Sequence, residues 1–279
     1  FMLNASIVLY YHSPDTIKPL VETLQGSNLI SNIFLIDNSP SPHPDFEKLP
    51  VTYIFTGKNV GYGAGHNIAI RETMKKNVPY HLVVNPDVAF EPEILEEIVE
   101  FMDKNTNIGL LMPKILYPDG EIQYLCKLLP SPFDLIFRRF LPKSWTRKRT
   151  EKFEMRASGY DKVMDVPYLS GCFMFFRTDA LREVGLFDER FFLYPEDIDL
   201  TRRIRRKFRT VFYPHVSVVH YHERGSYKNL RMLWIHIINM IKYFNKWGWF
   251  CDAERKRVNR KTMKQYFSQC HEIKIKRIN

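Results

Sequence analysis

The sequence predicts an α/β protein in which helices flank a mostly parallel central sheet, with a helical, basic arm at the C-terminal end. Short apolar runs alternate with amphipathic segments along most of the chain, and such alternation is typical of parallel sheets covered by helices. Two of the apolar runs end directly at polar or acidic residues, which suits the carboxyl edge of an open sheet, where ligands bind. From Lys228 onward the composition becomes aromatic and basic, which marks the arm.

The amino-terminal half contains repeated strand and helix patterns. Each predicted strand is a short apolar run, and each predicted helix carries apolar residues at helical spacing. In chain order, we predict a strand at 6–11, a helix at 16–24, strands at 33–36 and 51–55, a helix at about 67–76 and a strand at 81–84.

The second half continues the alternation around one undefined region. That region ends at about Asp165, and we interpret its basic stretch, 138–156, as a mobile loop or a partly helical flap. The organisation predicted is a main domain at 1–227 and an arm at 228–279. Around the undefined region we predict a helix at 93–103, a strand at 166–177, helices at 180–184 and 197–206, and a strand with a loop at 211–219.

The composition fits one principal globular domain with an appendage, since the 279 residues are 45% hydrophobic and 26% charged. The net charge of +10 predicts attraction to an anion, which could be a nucleotide, nucleic acid or an acidic membrane. No recognised nucleic-acid-binding module accompanies the charge, so we do not expect a nucleic-acid partner.

Cysteine usage and hydropathy bear on the compartment. The four cysteines are scattered, unlike the close pairs of zinc sites or secreted disulfide scaffolds. No apolar run approaches the roughly 18 residues that a membrane span needs, and we find no secretory signal pattern. The sequence therefore favours a reducing, cytoplasmic setting.

Two predicted strands end at carboxylates, Asp37 with Asn38 after one and Asp87 after another. One such carboxylate can accept a hydrogen bond from a base or ribose, and another can hold a divalent cation that bridges a diphosphate. The alternative is that both residues cap turns, which Asp and Asn commonly do.

A glycine-rich segment, 57–67, leads into a predicted helix. Glycine permits close backbone approach, and the free N–H groups of a helix N-terminus can face polar or anionic ligands. The segment matches neither a Walker loop nor a dinucleotide fingerprint, so a plain tight turn is the alternative.

Three carboxylates, Glu196, Asp197 and Asp199, open a helix directly after an aromatic run. The helix dipole favours acids there, so capping explains one or two of them. Capping does not explain the aromatic run that precedes these carboxylates, however. A carboxylate held beside an apolar surface can have a raised pKa and act as a general base towards a hydroxyl group.

Two histidines, His220 and His222, follow the last predicted strand. An imidazole at the sheet edge can complete a metal shell begun by Asp87. The alternative is that each ring is an ordinary hydrogen-bonded polar group.

Taken together, these segments resemble the family 2 glycosyltransferases, and most closely their bacterial rhamnosyltransferase-like branch. The similarity extends over about residues 5–227 and rests on the order and spacing of six pieces: 6–12, 35–39, 57–67, 84–87, 170–172 and 187–199.

The resemblance implies a GT-A fold, a single Rossmann-like sheet domain that uses Mg²⁺ or Mn²⁺ and inverts the anomeric centre. Carried over by position, Asp197 is the base with Glu196 beside it, and Asp87 with His220, or else His222, holds the metal. Because many relatives have two carboxylates where this chain has Asp87 alone, we expect the cation to bind together with the donor diphosphate. The residues implied to bind the nucleotide sugar are Tyr11, Asp37, Asn59, Gly61, Asn85 and Gly171.

The resemblance also implies substrates. It favours dTDP-L-rhamnose as donor, with UDP-sugars next, and a hydroxyl of a lipid-linked saccharide as acceptor in bacterial cell-surface polysaccharide biosynthesis. A catalytically silent nucleotide-sugar or lipid-binding protein is an alternative, although retention of Asp87, Glu196 and Asp197 argues against it. A second alternative is a nucleotidyltransferase. Such an enzyme would more naturally carry a basic glycine-rich signature near its N-terminus, which residues 6–16 lack.

The C-terminal arm suggests contact with an anionic membrane surface, which would place the enzyme in the cytoplasm, peripheral on the inner face of the cell membrane. Its apolar stripe could equally pack on the main domain; the stripe comprises Leu230, Leu233, Trp234, Ile237, Ile238, Ile241 and Phe244. Beyond the stripe comes an aromatic and basic mixture that suits a headgroup interface, made of Trp247, Trp249, Phe250, Arg255, Lys256, Arg257, Arg260, Lys261 and Lys264.

Overall fold

The computed structural model describes residues 2–222 and 230–276, with side chains described as far as residue 265. Within these residues the strands are β1 (Leu3–Leu9), β2 (Ile30–Asp37), β3 (Thr52–Phe55), β4 (Tyr80–Val84), β5 (Val88–Ala89), β6 (Ile108–Leu116), β7 (Cys126–Lys127), β8 (Met164–Asp165), β9 (Tyr168–Leu169), β10 (Phe173–Arg177) and β11 (Arg209–His220).

Nine of these strands form one sheet in the order β3-β2-β1-β4-β10-β6-β11-β5, with β8 also paired to β11. Strands β1 to β4 are parallel where they pair. Strand β10 runs antiparallel between β4 and β6, so β6 and its parallel partner β11 point the same way as β1 to β4. The predicted mostly parallel sheet is confirmed, and six strands direct their carboxyl ends to one edge.

Helices flank this sheet. Helix α3 shows why, because Leu95, Ile98, Val99 and Met102 recur at helical spacing and are all buried. The α-helices are α1 (Pro14–Gln25), α2 (Tyr62–Lys75), α3 (Ile94–Lys104), α4 (Pro132–Leu135), α5 (Lys143–Phe153), α6 (Thr178–Val184), α7 (Glu196–Arg205), α8 (Leu230–Trp247) and α9 (Ala253–Lys276). Short 3₁₀ helices span Pro44–Lys48, Phe137–Phe140 and Arg156–Ser158.

The glycine-rich segment differs from the prediction, because α2 begins at Tyr62 rather than near Asn67. Gly63 and Gly65 therefore lie in the first turns of the helix. A Cβ atom at Gly65 would lie 2.8 Å from Val8 Cγ2, and one at Gly63 would lie 2.8 Å from Phe187 Cβ. These glycines permit close packing of α2 against β1 and the 187 segment.

The strand predicted at 166–177 is interrupted at residues 170–172. Its first part, β9, pairs with β7 in a separate two-stranded sheet, whereas β10 lies inside the main sheet. The basic stretch 138–156 is partly helical, as one of its two interpretations predicted, since it contains α5. The undefined region also supplies β6, a strand near the middle of the sheet that the sequence pattern did not reveal.

Helix α8 packs on the main domain. Met240, Tyr243 and Phe244 form a buried cluster with Phe191 and Ile198. The predicted apolar stripe is thus divided, because Phe244 faces inward while other members are exposed, namely Leu230, Trp234, Ile238 and Ile241.

Two arm residues that the sequence assigns to a headgroup interface are engaged within the protein. Trp247 Nε1 donates to Asp199 Oδ1 at 2.8 Å, and Arg255 is 7% exposed and donates to backbone carbonyls. The predicted boundary between residues 227 and 228 falls within 223–229, outside the described residues. In the two described ranges we find no helix with the length and hydropathy required to cross a membrane.

Candidate active site

The sheet brings Asp87 and His220 together. Strand β4 ends at Val84, the turn 85–87 leads into β5, and β5 pairs with the end of β11, placing His220 opposite Val88. The backbone N–H of Tyr221 donates to the Asp87 carbonyl at 2.9 Å. As a result, His220 Nε2 lies 3.2 Å from Asp87 Oδ1.

Gln123 fixes the orientation of the His220 ring. Its side-chain N–H₂ donates to the carbonyl oxygens of His220 at 2.8 Å and Leu116 at 3.2 Å, so its Oε1 atom faces the imidazole. His220 Nδ1 lies 3.1 Å from that oxygen and must therefore donate to it. In a neutral imidazole, a proton on Nδ1 places the lone pair on Nε2, the atom beside Asp87. Sequence reasoning missed Gln123, because nothing in its local pattern connects it with residue 220.

The donor atoms of this pair suit a divalent cation. His220 Nε2 is buried and forms no protein hydrogen bond of good geometry within the described residues. Ligand atoms bound at about 2.1 Å in octahedral geometry lie ~3 Å apart, which matches the separation from Asp87. No three His, Cys, Asp or Glu side chains in the described part of the chain converge as a metal site. A cation here would need further ligands from elsewhere.

Asp197 lies at the start of α7 and is 8% exposed. The backbone N–H of Gly171 donates to its Oδ2 at 3.0 Å, and that of Ile198 donates to its Oδ1 at 2.8 Å. Burial raises the pKa of Asp197, although these two hydrogen bonds oppose the shift. The result is a fixed carboxylate with raised basicity, which suits a general base.

The pKa of Glu196 is raised further above its ordinary value than the pKa of Asp197. Its Oε2 atom is buried without a hydrogen-bond partner in the described residues. Burial, followed by the charge of Asp197, raises the pKa of Glu196 well above its ordinary value. Asp199, the third carboxylate, is fully buried and forms ion pairs with Arg203 at 2.9 Å and Lys246 at 2.6 Å. These pairs give Asp199 a structural role.

A cavity of about 290 Å³ joins His220 to the acidic pair, since its lining includes His220, Glu196 and Asp197. We call it the central cavity. The Tyr62 hydroxyl spans its wall, 2.8 Å from Asn85 Oδ1 and 2.6 Å from the Gly171 carbonyl. Asn85 and Gly171 both line this cavity, whereas Tyr11, Asp37, Asn59 and Gly61 do not.

Asp37 ends β2, and the other three residues lie on the loops after β1 and before α2. Tyr11 is 70% exposed and adopts a positive φ of 58°. The Asp37 carboxylate is buried and accepts from Ser39 N at 3.0 Å and the Tyr53 hydroxyl at 2.6 Å. These hydrogen bonds stabilise the loop after β2, whereas contact between Asp37 and a ribose stays a prediction.

The other two residues shape the loop before α2. Asn59 Oδ1 accepts from Gly61 N at 3.0 Å. Gly61 has a φ of 94°, and a Cβ atom there would lie 2.5 Å from the Phe192 carbonyl oxygen. Its role in the structure is close packing of the loop against the segment that leads to Glu196.

Comparisons with known proteins place this geometry in a family. A family model described as glycosyltransferase-like family 2 matches residues 43–240. N-acetylglucosaminyl-diphospho-decaprenol L-rhamnosyltransferase of Mycobacterium tuberculosis is 29% identical over 239 residues, which cover 79% of this chain and 76% of the relative. Rhamnosyltransferase WbbL of Escherichia coli K12 is 25% identical over 250 residues, which cover 85% of this chain and 90% of that protein.

A crystal structure of GalNAc-T7 with UDP, GalNAc and Mn²⁺ shares the fold, with a TM-score of 0.65 and 15% sequence identity. The match covers 88% of this chain and 48% of the GalNAc-T7 chain, so the protein spans about half the length of that relative. This likeness confirms the predicted GT-A fold. Because the family model spans well over half of its residues, the chain belongs to glycosyltransferase-like family 2.

Proposed function

We propose that this protein is an inverting, metal-dependent glycosyltransferase that moves L-rhamnose from dTDP-L-rhamnose to a hydroxyl of a lipid-linked saccharide in bacterial cell-surface polysaccharide biosynthesis. One observation carries the proposal. The pair Asp87–His220 lies beside the central cavity that also contains the buried carboxylate of Asp197. A leaving diphosphate and an acceptor hydroxyl could therefore meet in one enclosed space.

In the proposed reaction, Asp197 takes the proton of the acceptor hydroxyl while that oxygen attacks the anomeric carbon. The donor diphosphate leaves from the opposite face, which inverts the anomeric configuration. Gly171 and Ile198 hold the Asp197 carboxylate in place through their N–H groups. Positioning and electrostatics then carry most of the barrier reduction, because the transition state develops positive charge on the sugar.

Asp87 and His220 would hold Mg²⁺ or Mn²⁺, with donor phosphate oxygens and water supplying further ligands. The cation, when bound, would neutralise the charge that develops on the leaving diphosphate. Support comes from the 3.2 Å separation of Asp87 Oδ1 and His220 Nε2 and from Mn²⁺ in the GalNAc-T7 structure. His222 stacks on His220 with ring centroids 5.4 Å apart and is the alternative ligand.

The nucleotide would lie towards the loops after β1 and β2. We propose that Tyr11 contacts the base, that Asp37 shapes this loop and borders the ribose, and that the 59–61 loop borders the nucleotide. Asn85 and Gly171 would contact the donor within the central cavity, which both residues line. These assignments follow the family resemblance and the placement of each residue.

The substrate assignment rests on relatives. The names of the M. tuberculosis and E. coli proteins specify rhamnosyl transfer, and the former specifies a diphospho-decaprenol acceptor. A lipid-linked acceptor requires the enzyme to work at a membrane, and we propose peripheral binding to an anionic surface at the inner face of the cell membrane. A UDP-sugar donor is the alternative that the GalNAc-T7 complex favours.

A thermal-shift screen of nucleotide sugars with and without Mn²⁺, followed by a transfer assay, tests the proposal. A ligand that binds the folded state raises Tm with concentration, so dTDP-L-rhamnose should stabilise the protein in a Mn²⁺-dependent way and then react. Asp87→Ala should abolish that dependence. Donor binding without any transfer would support the catalytically silent protein instead, and stabilisation by UDP-sugars alone would change the donor.

A further inference from the structure

A second cavity, of about 540 Å³, lies beside the central cavity and shares four lining residues with it: Lys127, Tyr168, Tyr194 and Asp197. We call it the cationic cavity. Asp197 therefore lies between the central cavity, which His220 also lines, and the cationic cavity, which has no occupant in the proposed reaction. An acceptor that presents its hydroxyl to Asp197 could extend into this compartment.

The cationic cavity is lined by three cations, Lys127, Arg138 and Arg139. The Lys127 ammonium lies over the rings of Phe153 and Tyr168 at 6.0 and 5.4 Å. Burial lowers the pKa of Lys127, and no carboxylate of the described residues lies within ion-pair distance of it. This cation lacks the close anionic partner that a charge beside apolar surface normally requires.

Two carboxylates also line this cavity, but one is already neutralised. Asp134 pairs with Arg149 at 3.0 Å and accepts from Ser131 Oγ at 2.6 Å. Lys127 and Arg138 have no ion-pair partner among the described residues, so two positive charges lie beside the single carboxylate of Asp197 and leave an excess of positive charge. A diphosphate that is esterified at both ends carries about two negative charges, and its charge would balance that excess.

Much of the remaining wall is apolar and includes Leu233, which is half-buried. The apolar part consists of Leu135, Phe153, Ile198, Leu233 and Met240. The 3₁₀ helix Phe137–Phe140 meets α8 here, because the guanidinium group of Arg139 contacts His236 Nε2. Burial, followed by the charge of Arg139, lowers the pKa of His236 to about 3, so this ring is a neutral acceptor. Exposed Phe140 and Trp234 lie on these two elements.

We propose that the cationic cavity binds the diphosphate of the acceptor, with Lys127 and Arg138 as its anion-binding residues, and that the lipid leaves along the apolar wall. This inference rests on the proposed function, since it names the class of acceptor that the same site takes. It makes the enzyme selective for diphosphate-linked acceptors over neutral glycosides that present the same sugar.

Steady-state transfer by the full chain tests the inference with two acceptors, N-acetylglucosaminyl-diphospho-undecane and the neutral undecyl N-acetylglucosaminide. Arg138→Gln and Lys127→Met should each raise KM for the diphosphate acceptor by about 10-fold or more, since a charge-assisted hydrogen bond is lost. KM for the neutral acceptor should change little in both variants, and KM for the donor should change little in Arg138→Gln, because Arg138 does not line the central cavity. Arg147→Gln removes the same charge from the exposed face of α5, outside this cavity, and should behave as the wild type.

The inference is overturned if both variants raise KM for the two acceptors alike, if Arg138→Gln raises KM for the donor, or if neither variant changes KM for the diphosphate acceptor. If the wild type transfers to neither acceptor, the proposed function fails for that acceptor sugar, and direct binding decides the inference. Calorimetry with the diphosphate compound in EDTA, which removes metal-dependent donor-site binding, should then show binding that Arg138→Gln weakens. Equal binding by the two proteins, or none by either, would refute the cationic cavity as a diphosphate site.

Discussion

At the scale of single residues, Asp197 is held by one backbone N–H on each carboxylate oxygen and borders both cavities. We expect Asp197→Asn to lower kcat by about 10²- to 10⁴-fold, the range for loss of a positioned base. Donor affinity should stay near the wild-type value, because the change affects the acceptor proton. Transfer rates and donor binding by calorimetry, measured on the same preparation, separate the two effects.

The matched control is Glu196→Gln, which removes the neighbouring carboxylate. An inactive Glu196→Gln variant beside an active Asp197→Asn variant would reverse the assignment within the pair. A large loss of donor affinity in Asp197→Asn would instead indicate that the substitution distorts the loop of Gly171.

Glu196 should also change how stability depends on pH. Because burial raises its pKa in the folded state, the folded protein binds this proton more tightly than the unfolded chain does. The associated stabilisation is complete below the unfolded pKa and is lost as pH rises through the folded pKa. The stability of Glu196→Gln relative to wild type should therefore increase with pH, by at most ~1.4 kcal/mol per pH unit.

Urea unfolding between about pH 5 and pH 8 measures this trend. Glu91→Gln, a substitution of an exposed carboxylate, should stay within about 0.5 kcal/mol of wild type at each pH. A constant difference between Glu196→Gln and wild type over this range would show that Glu196 does not take up a proton on folding.

Gln123 is the residue whose effect should appear in metal affinity. Gln123→Met removes the acceptor that fixes the His220 ring while keeping a similar volume, so we expect Mn²⁺ affinity in the presence of nucleotide diphosphate to fall by about 10- to 100-fold. Asp87→Ala, which removes a proposed ligand, should cause a larger loss. Calorimetry that finds unchanged affinity in Gln123→Met would mean that the ring needs no such support.

At the scale of secondary-structure elements, the sequence predicted most of the strands and helices because their apolar residues recur at periods that local structure dictates. It misjudged elements whose limits depend on distant partners. Helix α2 begins at Tyr62 because glycines let it approach Val8 and Phe187, and no local pattern shows that approach. Strand β6 escaped prediction because its buried run has no alternation, as is typical of a strand covered on both faces.

The candidate site shows the same division. Asp87, Asp197 and His220 could be selected from the sequence, because each stands at the end of a predicted element, where an acid or an imidazole can face a ligand. Gln123, Lys127 and Arg138 could not, since only tertiary contacts with elements far along the chain bring them beside the site.

Arg202 tests whether the C-terminal helices are an independent element. It is 2% exposed, pairs with Asp252 at 2.8 Å and Glu254 at 2.9 Å, and lies 4.1 Å from the Trp247 ring. Arg202→Met should destabilise the protein by about 3–5 kcal/mol, because it leaves Asp252 buried and unpaired. Urea unfolding should remain a single transition, since α8 and α9 share this interface with α7.

Arg206→Met is the control for that experiment. Arg206 also binds Glu254, at 2.8 Å, but it is largely exposed, so its loss should cost at most about 1 kcal/mol. Two separate transitions in Arg202→Met would show that the arm folds independently of the main domain, and equal effects of the two substitutions would remove the special role of the buried pair.

At the scale of the whole molecule, several exposed apolar side chains lie on the elements around the cationic cavity. Phe140, in the 3₁₀ helix before α5, is 67% exposed, and Trp145, in the first turn of α5, is 78% exposed. On α8, Leu230 is 75% exposed and Trp234 is 63% exposed. Contact between Arg139 and His236 joins these two groups. A bilayer that covers this face would lie where a lipid leaves the cavity, so the acceptor could stay partly in the membrane during transfer.

We therefore expect the double variant Trp145→Ser, Trp234→Ser to lose about 10-fold or more of its partitioning onto vesicles that contain phosphatidylglycerol, because two large side chains no longer enter the interface. Transfer to a short soluble acceptor should be unaffected, since neither residue lines the central cavity.

Phe250→Ser is the matched control: Phe250 is 71% exposed but follows the opposite end of α8, in the segment that the sequence alone assigns to the headgroups. Vesicle sedimentation distinguishes the two faces. Loss of binding in Phe250→Ser with retention in the double variant would move the membrane contact to the C-terminal segment, and wild-type protein that does not sediment would exclude the membrane contact altogether.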